Sequence, residues 1–347
     1  MSRMADLAHA ALYPIDLLFA GIPCPDFSAS QTVGAETKEA RWGGFDEFVE
    51  MLASRAADGI LDASVLLENV PRFATVHMTA EKLDELQRRA GMHARLFTVQ
   101  ANSFGCGTRR ERTILVGFRD PRHLDAFGRG PKPTSASSAP LSQFINPEYN
   151  NPMLHEALFL ETRELMHGLA AANALQIVSP ASNEPLNVRT RSNSPTRPSG
   201  TGGTFVCLHS SVAQQVTRIT GQQLEGFKTW FDVSPALTSA VAPAVPIMRR
   251  LHPREELRAM GWAPSELPGF ASRADRRSYE WVADSLCPPV FEAFVARMVW
   301  AMGKPLPSGV TVTEAAPQDV QRKSNPQRVE YFKMKAPEAP GGVAHEE

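Results

Sequence analysis

The chain has 347 residues, and its 36 basic and 37 acidic side chains nearly cancel to a formal net charge of −1. Hydrophobic residues make up 43% of the chain and charged residues 21%, which is typical of a globular protein and excludes a disordered or fibrous one. The balanced charge gives no general attraction to nucleic acid, so any such contact must come from local patches.

The first third of the chain alternates between short apolar runs and segments of helical periodicity. The predicted elements are a strand over 15–20, a helix carrying 45–52, a strand over 65–67, a helix from 79 to 91, a strand over 93–100 and a strand over 113–118. Thr79 is a suitable N-cap, and Gly91 is a natural helix stop. Helices between buried strands predict an α/β sheet, in which chemistry collects where strands end.

The composition changes after residue 119. Residues 130–155 and 178–204 are rich in Pro, Ser, Asn, Thr and Gly. The segment 188–203 carries three arginines and no acid, so it is either a solvated loop or a DNA-facing one. The other predicted elements are a helix over 154–175, short strands within 205–245, a helix over 253–260, a largely apolar helix over 289–302 and a flexible tail over 304–347.

Membrane association, secretion and metal binding are not predicted. No apolar run approaches the roughly 20 residues that span a bilayer, and the N-terminus lacks a secretory signal. The four cysteines form neither a disulfide framework nor a zinc-site pattern, which favours a reducing, cytoplasmic setting.

Cys24 is the first candidate for chemistry. It follows Pro23 on the loop that leaves the first predicted strand, where a thiolate with a lowered pKa can act as a nucleophile. Taken alone, a cysteine in such a loop is more often inert packing.

Glu68 ends the second predicted strand, 44 residues beyond Cys24. Parallel strands bring their carboxyl ends to one edge of a sheet, so we expect Glu68 and the cysteine loop to be near each other. A carboxyl group in such a cleft can donate a proton. The alternative is a glutamate that caps a helix or binds an arginine.

Arg110 and Arg112 lead into the fourth predicted strand. If both belong to the strand, they point to the same face, where two guanidinium groups suit an anion or a carbonyl. The alternative is an exposed basic strand end.

Together these segments resemble the DNA (cytosine-5)-methyltransferase family. The matching motifs, in the family's order, are the Pro-Cys loop at 23–28, Glu-Asn-Val at 68–70, the arginine motif at 108–112, a segment at 249–262 and the last motif at 283–290. Five motifs in order are far more specific than any one of them.

The resemblance implies a role for each matched residue. Cys24 would add to carbon 6 of a cytosine flipped out of double-stranded DNA, and Glu68 would bind ring N3. Arg110 would contact the base carbonyl, and Arg112 would help to hold the cysteine loop. The implied substrate-binding positions are Pro23, Ser28, Asn69, Val70 and Thr108. S-adenosylmethionine would be the methyl donor, with Asp284 and Ser285 at cofactor-binding positions.

The resemblance also implies an architecture. The expected fold is the α/β, Rossmann-like fold of S-adenosylmethionine-dependent methyltransferases, lacking its N-terminal strands and carrying an inserted, smaller target-recognition domain. The expected parts are a catalytic half-domain at 1–125, a target-recognition region at 126–245, a return segment at 246–303 and the flexible tail at 304–347. The natural setting for such an enzyme is bacterial or phage DNA modification.

Two departures from the family bear on the cofactor. Only 14 residues precede the first predicted strand, and no segment has the family's Phe-x-Gly-x-Gly cofactor loop. Three explanations stay open: a split enzyme completed by a second subunit, a truncated product, and an inactive paralogue that still binds DNA. In the motifs, Thr108 replaces a glutamine, and Asp284 places a negative charge near the expected methionine carboxylate.

Overall fold

The computed structural model describes residues 13–22, 42–75, 79–108, 110–134, 144, 146–150, 177–178, 205–208, 247–325 and 328–335. The chain divides into two compact units. The first comprises Met1–Phe104, Glu111–Ser135 and Val290–Glu347, and the second comprises Gly105–Arg110 and Ala136–Pro289. The domain boundaries expected from the sequence stay a prediction.

The described part of the chain contains nine strands and six α-helices. In chain order they are β1 (Leu18–Gly21), α1 (Gly43–Ala57), β2 (Ser64–Asn69), α2 (Thr79–Ala90), β3 (His93–Gln100), β4 (Glu111–Phe118), α3 (Pro121–Phe127), β5 (Ile177–Val178), β6 (Phe205–Leu208), β7 (Ile247–Arg250), α4 (Pro253–Ala259), α5 (Arg276–Asp284), α6 (Pro288–Ala301), β8 (Val320–Ser324) and β9 (Glu330–Met334). The strands and helices predicted within residues 15–118 are confirmed, with ends shifted by up to three residues.

The first unit is built on a six-stranded sheet with the order β1-β2-β4-β3-β9-β8. Strand β1 runs parallel to β2, β4 runs antiparallel to β2 and β3, and β9 runs parallel to β3. The ends of β1, β2, β3 and β9 therefore lie along the same edge as the start of β4. We call this line of strand ends the carboxyl edge.

Apolar side chains bury both faces of this sheet. Helices α1 and α2 cover one face with a cluster that includes Phe45 and Phe48, neither of which is exposed. On the other face, Phe294 of α6 packs against Phe97 of β3, with ring centroids 5.5 Å apart. Helix α2 ends before Gly91, which has a φ of +67° as expected for a helix stop. The helical spacing of the sequence thus predicted which elements supply the core.

The flexible tail predicted from residue 304 onward is wrong as far as residue 335. Strands β8 and β9 form an antiparallel hairpin, and β9 pairs with β3 in the sheet. Buried Val320, Val329 and Met334 alternate with charged residues there. These apolar positions are single residues rather than runs, so the sequence pattern did not reveal strands.

Helix α6 is less buried than its sequence predicts. Its interior side includes Phe294 and Met298, which have no exposure, but Trp300 is 46% exposed. The buried position Arg297 is polar, and its guanidinium donates to the carbonyls of Ala126 and Phe127 at the end of α3. A guanidinium can be buried where it satisfies the free carbonyls of a helix end.

The described residues of the second unit form a small sheet and the helices α4 and α5. Strand β5 is parallel to β6, and β6 is antiparallel to β7. Helix α4 begins with a capping box, in which His252 accepts from the backbone of Arg254 and Glu255 accepts from the backbone of His252. The helix predicted at 154–175 and the arginine-rich segment at 188–203 lie outside the described residues. Among the residues that are described, no helix has the length and apolarity to cross a membrane.

Candidate active site

Glu68 occupies the carboxyl edge at the end of β2. Its register partner on parallel β1 is Gly21, and its partner on antiparallel β4 is Ile114. The prediction that β1 and β2 end at the same edge is therefore confirmed. The Glu68 side chain is 14% exposed, and its Oε1 lies 2.6 Å from Nε of Arg112.

Arg112 is the second residue of β4, one antiparallel strand away from Glu68. It faces the same side of the sheet as Glu68, because Arg112 and Ile114 have the same parity and Ile114 is opposite Glu68. Its Nη1 also donates to the carbonyl of Glu111 at 2.8 Å. The sequence assigned Arg112 to the cysteine loop, whereas its described acidic partner is Glu68. The alternative for Glu68, an arginine partner, is thus observed, and it leaves the carboxylate oriented and partly exposed.

Asn69 is buried rather than open to a ligand. It is 1% exposed, its Oδ1 accepts from the backbone of Val70 at 2.8 Å, and its Nδ2 lacks a hydrogen-bond partner in the described part of the chain. The bond forms where β2 ends, just before the short 3₁₀ helix that starts at Pro71. Val70 is partly buried against the core. Substrate binding by Asn69 and Val70 stays a prediction.

Arg110 belongs to the second unit and precedes β4. Its Nη2 donates to the backbone carbonyl of Ser285 at 2.9 Å, and it is 9% exposed. Because β4 starts only at Glu111, the strand-parity argument that paired Arg110 with Arg112 is wrong in its premise. Strand alternation constrains only residues that are in the strand.

The segment before Arg110 is seated against the end of α4. The N–H of Gly107 donates to the carbonyl of Ala259 at 2.8 Å, and Cys106 Sγ donates to the carbonyl of Met260 at 3.2 Å. A Cβ on Gly107 would be 2.4 Å from a ring atom of Phe144, so a larger residue here would force the Phe144 ring to shift. Sequence reasoning missed Gly107 and Phe144, since no local pattern links residues this far apart.

Thr108 stands where the family has a glutamine, and it is fully buried. Its hydroxyl oxygen has no hydrogen-bond partner within the described residues. A buried hydroxyl without a partner is costly, and the cysteine loop that the family's glutamine would brace lies outside the described residues. Substrate binding by Thr108 stays a prediction.

Asp284 and Ser285 lie at the end of α5. The N–H of Ser285 donates to the carbonyl of Val282, its hydroxyl donates to the carbonyl of Trp281, and its own carbonyl accepts from Arg110. Asp284 is exposed. Cofactor binding by Asp284 and Ser285 stays a prediction.

Cys24, Pro23 and Ser28 lie outside the described residues. The described chain reaches Gly21 at the end of β1 and Ile22, which is 4% exposed. The strand from which the cysteine loop departs is thus fixed, two strands from Arg112.

One further contact at the carboxyl edge was not foreseen. Lys333 of β9 lies 3.5 Å from Oε1 of Glu111, the residue before Arg112. The sequence placed Lys333 in a flexible tail, so no signal connected it with the arginine motif.

Solved structures with a similar fold are methyltransferases. The chain is 14% identical to the S. pombe Dnmt2 methyltransferase, with a TM-score of 0.54 over 83% of this chain and 78% of that one. It is 12% identical to the Entamoeba histolytica methyltransferase EhMeth, with a TM-score of 0.54 and the same coverage of both chains. It is 13% identical to a Spodoptera frugiperda DNMT2 mutant, with a TM-score of 0.52 over 82% of this chain and 79% of that one. No curated protein matches the chain.

The fold is therefore that of an S-adenosylmethionine-dependent methyltransferase, a mixed α/β architecture around one central sheet. A family model described as C-5 cytosine-specific DNA methylase matches residues 4–300, and the chain belongs to that family. Its activity is methylation of cytosine in DNA, with S-adenosylmethionine as the methyl donor.

Proposed function

We propose that Cys24 is the nucleophile of this methyltransferase and that Glu68, held by Arg112, binds the ring of the target cytosine. The observation that carries the proposal is the ion pair of Glu68 and Arg112 at the carboxyl edge. A partly exposed carboxylate fixed by a guanidinium suits recognition of a polar ring edge.

Chain connectivity supports a place for Cys24 near this pair. Gly21 is in register with Glu68 on the adjacent strand, and adjacent strands lie about 4.8 Å apart. Cys24 follows Gly21 by three residues, which extend to at most about 10 Å. The loop from Gly21 to Cys24 is thus short enough to serve the Glu68 site.

The proposed chemistry begins with addition of the Cys24 thiolate to carbon 6 of cytosine. A carbon–sulfur bond forms, and the electron pair of the C5–C6 double bond moves to carbon 5 and into the ring. Glu68 holds ring N3 and so stabilises this adduct. S-adenosylmethionine, when bound, would supply the methyl group to carbon 5 and would leave as S-adenosylhomocysteine. A base then removes the proton from carbon 5, the double bond returns, and the carbon–sulfur bond breaks to release the thiolate.

The two arginines have different proposed parts. Arg112 is a positioning residue, since its described contact is with the Glu68 carboxylate and its effect on the base passes through that group. Arg110 is proposed to contact the base carbonyl. A guanidinium has five N–H donors, so the bond from Arg110 to Ser285 does not by itself exclude a second acceptor.

We further propose that the target cytosine is flipped out of double-stranded DNA before it reacts. A stacked base offers neither carbon 6 nor ring N3 to a strand-end site. Flipping costs about a few kcal/mol in unstacking, and DNA contacts outside the base must offset this cost.

A second subunit is proposed to contribute the cofactor-binding part. Among the described residues, β1 stands at the end of the sheet order. Phe19 of β1 is 43% exposed, with its ring 5.0 Å from that of Phe291. An edge strand with an exposed aromatic side chain favours pairing with another chain.

The direct test is transfer of labelled methyl groups from S-adenosylmethionine to duplex DNA, by the chain alone and with a candidate second subunit. We expect transfer by the wild type and none by Cys24→Ala that keeps its DNA affinity. Transfer by Cys24→Ala would overturn the nucleophile assignment. DNA binding without transfer in every combination would support an inactive DNA-binding subunit instead.

A further inference from the structure

The hairpin of β8 and β9 is a basic addition beyond the part of the chain that matches the family. The family match ends at residue 300, and the hairpin starts at Val320. Residues 320–335 contain five basic residues and one acidic residue, whereas the whole chain has a net charge of −1. The basic residues are Arg322, Lys323, Arg328, Lys333 and Lys335. Positive charge is therefore concentrated here.

The hairpin is a fixed part of the first unit. Phe332 of β9 stacks on Phe97 of β3, with ring centroids 5.4 Å apart, and Arg95 lies over the same Phe332 ring. On the other face, Asn325 Nδ2 donates to the carbonyl of Ala74 at 3.3 Å. Contacts on both faces of the sheet hold the hairpin in a defined position.

The register carries this charge to the edge where Glu68 lies. Strand β9 is parallel to β3, and Lys333 is opposite Thr98 near the end of β3. The end of β9 therefore joins the carboxyl edge, three strands from β2. With about 4.8 Å between adjacent strands, Lys333 is displaced sideways from the Glu68 strand by about 14 Å.

Two lysines of the hairpin, Lys323 and Lys333, share one face of the sheet. Lys323 is opposite Tyr331, and Lys333 has the same parity as Tyr331, so both point to that face. Lys335 follows the end of β9, where strand parity no longer applies, and it is exposed, as is Lys323. Arg322 is on the other face and pairs with Glu330, so the lysines and the exposed Arg328 carry the excess charge.

We propose that the C-terminal hairpin binds the phosphate backbone of double-stranded DNA through Lys323, Lys333 and Lys335. Lys333 is in register with Thr98, which is opposite Thr113, the residue after Arg112. Lys333 therefore points to the face of the sheet opposite to Glu68, and the proposed contact is with DNA outside the target base. Each lysine can neutralise one phosphate, and the binding energy helps to offset base flipping, a part of the statement that rests on the proposed function of Glu68.

A protective role is the competing explanation. Charged side chains on an edge strand prevent it from pairing with another molecule, and β8 is the outermost strand on this side. That role predicts no change in DNA affinity when the lysines are neutralised.

The test replaces the two exposed lysines and measures DNA affinity against salt concentration. Lys323→Gln with Lys335→Gln removes two charges and leaves the contact of Lys333 with Glu111 intact. If each lysine meets one phosphate, the slope of log K against log salt becomes shallower by about 1.8. Lys323→Arg with Lys335→Arg should keep the wild-type slope.

A matched control removes two exposed charges from the opposite edge of the same sheet. Arg88 is in the last turn of α2, before β3 begins, and Arg122 is in α3, after β4 ends. Arg88→Gln with Arg122→Gln should leave the slope unchanged. Melting temperatures of both double variants verify that they fold.

The outcomes separate this inference from the proposed function, because DNA affinity is measured without methyl transfer. An unchanged slope in the lysine variant overturns the inference, even if Cys24 and Glu68 prove essential for transfer. An equal loss in the control variant also overturns it, because the effect would then follow total charge. A shallower slope in the lysine variant alone supports it, whether or not the chain transfers methyl groups.

Discussion

The ion pair of Glu68 and Arg112 permits a decisive test of how the proposed active site works. If Arg112 acts only by positioning Glu68, the two side chains form one functional unit, and their substitutions must not be additive. The perturbations are Glu68→Gln, Arg112→Gln and the double variant. Glu68→Gln keeps the size of the side chain and Arg112→Gln keeps a shorter polar one, so neither places an apolar group at the end of β2.

The expected magnitudes follow from the geometry. Nε and Oε1 are 2.6 Å apart, and the two side chains are 18% and 14% exposed. A charge-assisted hydrogen bond of this kind contributes about 1.5–3 kcal/mol, and the partial exposure favours the lower part of that range. Loss of the positioning alone should slow Arg112→Gln by about 10- to 100-fold. Glu68→Gln loses the carboxylate that is proposed to bind the cytosine ring. Its rate of methyl transfer should therefore fall by about 10²- to 10⁴-fold.

The assay is single-turnover methyl transfer to duplex DNA, with saturating enzyme and any second subunit that transfer requires. We expect the double variant to be no slower than Glu68→Gln, because the guanidinium has nothing left to orient. Equal DNA affinity among the variants verifies that the chemical step is being compared.

The reasoning is refuted if the double variant shows the product of the two single losses. Additivity would mean that Arg112 acts on the base or the cysteine loop independently of Glu68. Rescue by Arg112→Lys to near the wild-type rate would also count against it, since an ammonium group lacks the planar geometry that fixes a carboxylate.

Three further predictions concern the scaffold around the site. Gly107→Ala should destabilise the protein by about 1–3 kcal/mol in urea unfolding, because its Cβ would be 2.4 Å from an aromatic ring atom; an unchanged midpoint would contradict this contact. Asp62→Asn should lower the free energy of unfolding by about 3–5 kcal/mol, because it removes the carboxylate charge that pairs with the buried guanidinium of Arg55; calorimetry would show a lower melting temperature. Bonds from Arg122 lower the pKa of Asp120 to about 2, so the stability from this pair should be fully present above about pH 4 and lost as the pH falls through about 2. Arg122→Gln should return that pKa towards its ordinary value in an NMR titration, and an unchanged pKa would exclude Arg122 as the cause.

The elements that the sequence predicted well are those with continuous apolar runs. Strand β3 was predicted with its observed ends, 93–100, and β2 was found around the run 65–67. Both are buried on two faces of the sheet, which demands apolar residues at nearly every position. The same requirement for apolar residues explains why β2 ends at Glu68 and Asn69, because a carboxylate is tolerated only where the strand leaves the core.

The partner of Glu68 was beyond sequence reasoning because it depends on strand order. Strand β4 lies between β2 and β3, although it follows both of them along the chain. Only this insertion puts Arg112 beside Glu68, 44 residues away in sequence. Propensity and periodicity describe single segments, and they do not state which strand enters the sheet between two others.

Strand alternation then connects the active site with the hairpin that the sequence missed. Glu111 and Arg112 are adjacent in β4, so their side chains point to opposite faces of the sheet. Arg112 contacts Glu68 on one face, and Glu111 contacts Lys333 of β9 on the other. The start of β4 is thus held by ion pairs on both faces, one of them from a segment beyond the family match. Because Arg112 can fix the Glu68 carboxylate only if the start of β4 is itself fixed, the hairpin contributes to the geometry of the site from the opposite face of the sheet.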